Sequence, residues 1–135
     1  MPSDVQVREA VAAYAAAVSA GDKAGIVACY NDDARVTDPY PQPTFEGREE
    51  VSKFWDGVFA LGTPVSFVPG PLVVAGDRGV FSFAVQVEVG ECESRVRLQV
   101  EGYDILTIDD DGLIADQLAY WDPASMHPVE ACPFQ

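Results

Sequence analysis

A chain of 135 residues is about one domain long and can bury a single real core. Hydrophobic residues make up 48% of it, which argues against disorder. Its net charge of -14, from 22 acidic and 8 basic residues, argues against nucleic acid and anionic membrane surfaces as partners, because phosphate binding needs clustered Lys and Arg; it favours a neutral or apolar small ligand, or a cation.

Residues Asp4 to Ala20 are Ala-rich, with Val7, Val11, Tyr14 and Val18 at helical spacing, and predict a first helix. Ser3 or Asp4 can cap its start and Gly21 follows its end. Asp22 caps a short second helix that runs to about Tyr30, Asn31 to Asp33 read as a turn, and Ala34 to Thr37 as a short extended piece. Asp38 precedes Pro39, with Pro41 and Pro43 close behind; residues before proline are pushed to extended geometry, so this stretch is a loop. Beyond Gly47, Arg48 to Phe59 predict a third helix with Val51, Phe54, Trp55 and Val58 on its apolar face.

After Gly62 the pattern changes to strands. Val65 to Val74 and Gly79 to Val89 read as two strands joined at residues 76–79, the second carrying Phe81, Phe83, Val85, Val87 and Val89 on one face. A turn near Gly90 and Glu91 leads into a long strand from Arg95 to Ile108. Strand side chains alternate between faces, so Asp104 shares its face with Val96, Leu98, Val100, Leu106 and Ile108. An ionised carboxylate there is costly, so it either pairs or stays protonated, and a neutral carboxylic acid is a hydrogen-bond donor. Asp109 to Gly112 make a turn, Leu113 to Trp121 a last strand, and the Pro-containing tail from Asp122 to Gln135 is placed on the surface.

Helices first and strands afterwards predict an α+β domain spanning residues 1–135, with 1–3 and about 123–135 as tails. Three helices packed on one curved, mainly antiparallel sheet would form a cone-shaped barrel with an apolar pocket between helices and sheet.

Three carboxyl- or hydroxyl-bearing residues are candidates for chemistry, each with a plainer alternative. Tyr14 is either a core tyrosine or a donor aimed into the pocket. Asp38 is either a solvated turn aspartate or a partly desolvated general base at the pocket mouth. Asp104 is a pocket donor or a buried structural group, unless a β-bulge at Gly102 reverses the register and exposes it. Phe54, Trp55, Phe83 and Val85 are expected on the pocket wall, whereas His127 sits in the Pro-rich tail, away from chemistry.

Cys29, Cys92 and Cys132 are widely spaced, with no CxxC or Cys/His cluster, so neither a zinc site nor a disulfide framework is indicated; this fits a reducing cytoplasm. The start lacks the pattern of a signal peptide, and no run of ~18 apolar residues spans a membrane. GxSxG, P-loop, GxGxxG and HExxH motifs are missing as well.

From Val5 to Trp121 the chain resembles bacterial Δ5-3-ketosteroid isomerases, of the cone-shaped superfamily shared with nuclear transport factor 2 and SnoaL-like proteins. The segments AAYAAAVSAGDKAGIVACYNDDARVTDP, FEGREEVSKFW and YDILTIDDDGLI running on to AYW carry the resemblance. AGD and DDA-x-V-x-D-P are common across the superfamily; the combination of Tyr14, Asp38 and Asp104 is more specific. The resemblance implies Asp38 as general base, with Tyr14 and a protonated Asp104 as the two oxyanion donors. The neutral aspartic acid is a known feature of this family and comes with the resemblance. It further implies that Tyr30 extends a hydrogen-bond network behind Tyr14, that Trp121 lines the pocket, that the substrate is a 3-oxo-Δ5-steroid, that no cofactor or metal is needed, and that the protein is a homodimer joined through the outer sheet face.

Departures from the family pattern are Trp55, where some members have a tyrosine, Gln117, where an apolar residue is expected, a longer hairpin around Gly90 to Ser94, and a different tail. Two rival readings stay open. One is another enzyme on the same fold: the parity of Arg95 and Arg97, opposite to Asp104, argues against an epoxide hydrolase, and His127 as the only histidine argues against a dehydratase, which leaves a polyketide cyclase. The other is a non-catalytic binder of a steroid or similar apolar ligand.

Overall fold

Ser3 starts the first helix with a reciprocal capping box: its Oγ accepts from the Gln6 N–H at 3.1 Å, and Gln6 Oε1 accepts from the Ser3 N–H at 2.9 Å. The computed structural model describes residues 1–90 and 95–129. In it α1 spans Asp4–Ser19 and buries Val7, Val11, Tyr14 and Val18, the residues whose spacing predicts the helix. Asp22 Oδ1 accepts from the Gly25 N–H at 3.0 Å and caps α2, Lys23–Ala28.

This second helix ends earlier than expected, because Tyr30 already begins β1 (Tyr30–Thr37). The turn signal at Asn31 is locally real: Asn31 Oδ1 accepts from the Asp33 N–H at 3.1 Å. It is absorbed as an irregularity inside a strand, since β1 pairs in parallel with β7 (Ile114–Trp121) and its register shifts between Tyr30 and Arg35. β2, Thr44–Glu46, folds back antiparallel onto the end of β1 and closes the proline loop. The helices therefore do not all precede the strands, as α3 (Arg48–Leu61) follows β1 and β2.

The strand expected from Val65 to Val74 is two strands, β3 (Thr63–Pro69) and β4 (Val73–Ala75). They part at Gly70 and Pro71, where a Cβ on Gly70 would lie 2.1 Å from Ser82 Oγ and proline offers no N–H to a ladder. β5 (Arg78–Val89) and β6 (Val96–Ile108) pair without a break from Arg78↔Thr107 to Val89↔Val96. No bulge interrupts this pairing at Gly102, which stands opposite Phe83. The parity predicted for β6 therefore holds, and Asp104 faces inward with Val100, Leu106 and Ile108.

Among the described residues the sheet runs β2-β1-β7-β6-β5-β3, with β4 also beside β5 and β8 (His127–Val129) beside β6. It is curved, mostly antiparallel and does not close on itself; the three helices pack on it and supply the other half of the core. The described part of the tail, residues 122–129, lies on the surface as expected and adds a short strand to the sheet. At 13 residues β6 outruns the 8 of β7, and β8 covers the edge that this leaves at Arg97, Leu98 and Gln99. The hairpin tip expected to be longer, with Cys92 and Cys132, lies outside the described residues. No described helix is long and apolar enough to cross a membrane.

Candidate active site

A cavity of about 670 Å³ opens between α1, α3 and the sheet. Apolar side chains make most of its wall: Val18 from α1, Phe54, Trp55 and Val58 from α3, Phe67 from β3, Phe83, Val85 and Val87 from β5, and Leu98 and Val100 from β6. Into this wall the fold inserts Tyr14, Asp38, Asp104, Gln117 and Trp121. The three residues proposed for chemistry thus reach one cavity from a helix, a loop and a strand that are far apart in sequence.

Asp38 follows β1 directly, where Pro39 prevents the strand from continuing as a ladder. Its loop is tied down on both sides: the Asp38 N–H donates to Pro43 O at 3.2 Å, and the Tyr40 N–H donates to Ala119 O of β7 at 2.7 Å. Tyr40 also stacks on Tyr120, with ring centroids 4.9 Å apart. The Trp121 indole N–H donates to Asp38 Oδ1 at 2.6 Å. Burial raises the Asp38 pKa from 3.8 to about 6, and the indole hydrogen bond limits the rise by favouring the ionised form.

Asp104 is 1% exposed, and its Oδ1 has no hydrogen-bond partner among the described residues. Burial first, and the charge of Asp38 second, hold its pKa well above the usual carboxylate range, against an opposing hydrogen bond from Gln117. Tyr14 is likewise buried, with the ring of Phe67 edge-on at 5.5 Å and that of Trp55 at 6.3 Å. Its phenol is pushed well above its ordinary value, chiefly by burial and then by Tyr30 and Asp104. The cavity therefore holds one carboxyl poised to ionise near neutrality and two groups that keep their protons.

Tyr30 stands behind the cavity rather than on its wall: it is fully buried, edge-on to Tyr14 at 6.4 Å. The Trp55 indole N–H donates to Tyr30 Oη at 3.3 Å, and Tyr30 donates to Gln117 Oε1 at 2.5 Å. Gln117 Nε2 donates to Tyr14 Oη at 3.2 Å. Gln117 thus joins residues that the sequence shows only as a departure from pattern. Simple alternation does not place it inside along with Ile114. β7 carries one extra residue, Ala115, between the pairs Thr107↔Asp116 and Ile108↔Ile114, and this shift turns both Ile114 and Gln117 into the core.

Two of the lining residues come from places where the sequence gives no sign of a pocket. Lys53, from the polar side of α3, and Met126, from the tail, both line the cavity. Arg95 and Arg97 do not; they pair with Glu88 at 3.3 and 3.0 Å, as their parity opposite Asp104 requires. His127 is exposed, its ring nitrogen 2.8 Å from Ser125 O.

Comparison with known proteins places this geometry in context. Residues 11–117 match the model of the SnoaL-like domain. A curated steroid Delta-isomerase from Nocardioides simplex is 34% identical over 121 residues, covering 90% of this chain and 94% of its own. Among solved structures, an epoxide hydrolase/cyclase-like enzyme of pyran ring formation in polyether salinomycin superposes with a TM-score of 0.83 at 21% identity, covering 96% of this chain and all of its own. A Mycobacterium tuberculosis protein in complex with estradiol-17beta-hemisuccinate superposes with a TM-score of 0.78 at 20% identity, covering 90% of this chain and 98% of its own. At these identities the two structures speak for the fold alone. The domain match over most of the length, together with the steroid isomerase relative, shows that the chain belongs to the SnoaL-like family.

Proposed function

We propose that this protein isomerises 3-oxo-Δ5-steroids to the conjugated 3-oxo-Δ4 isomers by moving one proton within the substrate. The observation that carries the proposal is the pair of carboxyls, Asp38 and Asp104, on one apolar cavity in environments that favour opposite protonation states at the same pH. The steroid Delta-isomerase relative supports the substrate class, as does the estradiol derivative bound by the Mycobacterium tuberculosis neighbour.

Asp38, mostly ionised near pH 7, takes the proton from the carbon between the ketone and the alkene. The electron pair of that C–H bond moves into the new double bond and the ketone oxygen becomes a dienolate oxygen. Tyr14 and the neutral Asp104 donate hydrogen bonds to it; such donors, aimed at developing charge in a dry site, are worth roughly 3–4 kcal/mol each. The protonated Asp38 then returns its proton two carbons away and is restored as the carboxylate. The apolar wall from Phe54, Phe83, Val85 and Val100 suits a rigid hydrocarbon ring system. An epoxide-hydrolase chemistry that needs an Arg between two Asp residues is disfavoured, because Arg95 and Arg97 both stand outside the cavity.

The test is ultraviolet absorbance on mixing the protein with 5-androstene-3,17-dione, with Asp38→Asn as control. Growth of the conjugated-enone band that the mutant loses is the expected outcome. Tight binding of a phenolic steroid with no such growth would replace the isomerase by a binder, or by a relative acting on another ring system.

A further inference from the structure

We infer that Gln117 is a positioning residue that, through a hydrogen-bond chain starting at Trp55, makes Tyr14 a one-way donor to the oxygen of a bound ligand. The inference rests on the reading of the cavity as an oxyanion-stabilising site and adds what decides the direction of its donor. Each link follows from what the groups can do. Indole N–H only donates, so Trp55 fixes Tyr30 as the acceptor in their 3.3 Å contact. Tyr30 has one proton and two further polar neighbours, Tyr14 and Gln117; Gln117 Oε1, at 2.5 Å, is an amide oxygen that only accepts, so it takes that proton. With Oε1 engaged, the amide presents Nε2 to Tyr14 Oη at 3.2 Å, and that nitrogen only donates. Tyr14 therefore accepts from behind, and its own single proton stays available to the cavity whose wall it forms.

The reverse orientation of the amide is worse on the same count. Nε2 would then meet a Tyr30 hydroxyl already accepting from Trp55, and Oε1 would draw in the Tyr14 proton and silence the donor. A buried hydroxyl left without an acceptor is costly. Tyr14, Tyr30 and Gln117 are each at most 2% exposed, so bulk water has little access to the links between them. Each bond accepted also polarises the next O–H, so the last donor in the chain is the strongest. A tyrosine at position 55 could either donate or accept and would leave the direction open; the donor-only indole closes it.

The test compares the affinities of estradiol and 3-deoxyestradiol, which share their hydrocarbon contacts and differ in the phenolic oxygen. The variants are Gln117→Met, which keeps volume, Trp55→Phe, and the double variant. The wild-type protein should prefer estradiol, and each single variant should reduce the ratio of estradiol to 3-deoxyestradiol affinity about three- to tenfold, whatever it does to the affinity common to both ligands. Because the links act in series, the double variant should be no worse than Gln117→Met alone. If Gln117→Met does not fold, Trp55→Phe and Tyr30→Phe read the same preference from the far end of the chain. An unchanged preference in the folded variants, multiplying effects in the double variant, or no preference in the wild type would overturn the inference. Lack of turnover of 5-androstene-3,17-dione, with the preference and its loss intact, would remove the isomerase reading and leave the chain of donors standing.

Discussion

Trp121 and Asp38 meet where two parallel strands end side by side: Thr37 of β1 pairs with Leu118 of β7, and three residues on, the indole N–H reaches the Asp38 carboxylate at 2.6 Å. The hydrogen bond holds the candidate base on the cavity wall and stabilises its charged form, while burial does the opposite. The balance leaves Asp38 with a pKa of about 6, a carboxylate basic enough to take a proton and still ionised at neutral pH.

Replacing Asp38 by Asn keeps the shape and removes the base. Steroid turnover should fall to near background, while estradiol still binds. Near wild-type turnover in Asp38→Asn, measured by enone absorbance, would show that the base lies elsewhere.

The pH profile follows from the same group. kcat/KM should rise through a midpoint of about pH 6 and level off above it. Trp121→Phe removes the hydrogen bond that favours the ionised form, so the midpoint should move upward. An unmoved midpoint would mean that the indole does not set the basicity of Asp38.

Stability should respond in the opposite sense. The folded state raises the Asp38 pKa above its unfolded value of 3.8, so between that value and about 6 the folded state binds more protons than the unfolded. The contribution of Asp38 to stability is thus highest below the unfolded pKa and declines as pH rises through about 6, by at most about 3 kcal/mol. Asp104, whose pKa burial also raises, adds a decline of the same sign. Thermal melts from pH 4 to 8 should show a shallower decline in Asp38→Asn than in the wild type.

Asp104→Leu removes an oxyanion donor from the strand face. Turnover should drop by about 10²–10³. Stability at pH 8 should hold or increase, because a buried carboxyl with an unpaired oxygen gives way to an apolar side chain. A large loss of stability with unchanged activity per folded molecule would make Asp104 structural instead.

Gly102→Ala tests how closely β6 must approach β7. A Cβ there would lie 2.4 Å from the Tyr120 carbonyl oxygen, 2.9 Å from Trp121 Cβ and 3.0 Å from Phe83 Cζ. The nearest atom is backbone, so the strands must shift. The variant should lose about 1–3 kcal/mol in denaturant melts and, by moving Trp121, shift the pH midpoint of turnover.

Much of this site is legible in the chain itself, and the reason is local. Alternation along β6 alone aims Asp104 at the core, the prolines after Asp38 force a loop, and the spacing of Val7, Val11, Tyr14 and Val18 buries Tyr14. These are consequences of backbone geometry over a few residues. The polar partners were decided elsewhere. Trp121 meets Asp38 across 83 positions, Tyr30 meets Gln117 across 87, and Gln117 meets Tyr14 across 103. The inward turn of Gln117 depends on a bulge at Ala115, the extension of β1 on its pairing with β7, and the tail strand on the edge that β6 leaves open. Periodicity tells a side chain which face it occupies, but only the packing of distant strands decides which other side chain it meets there.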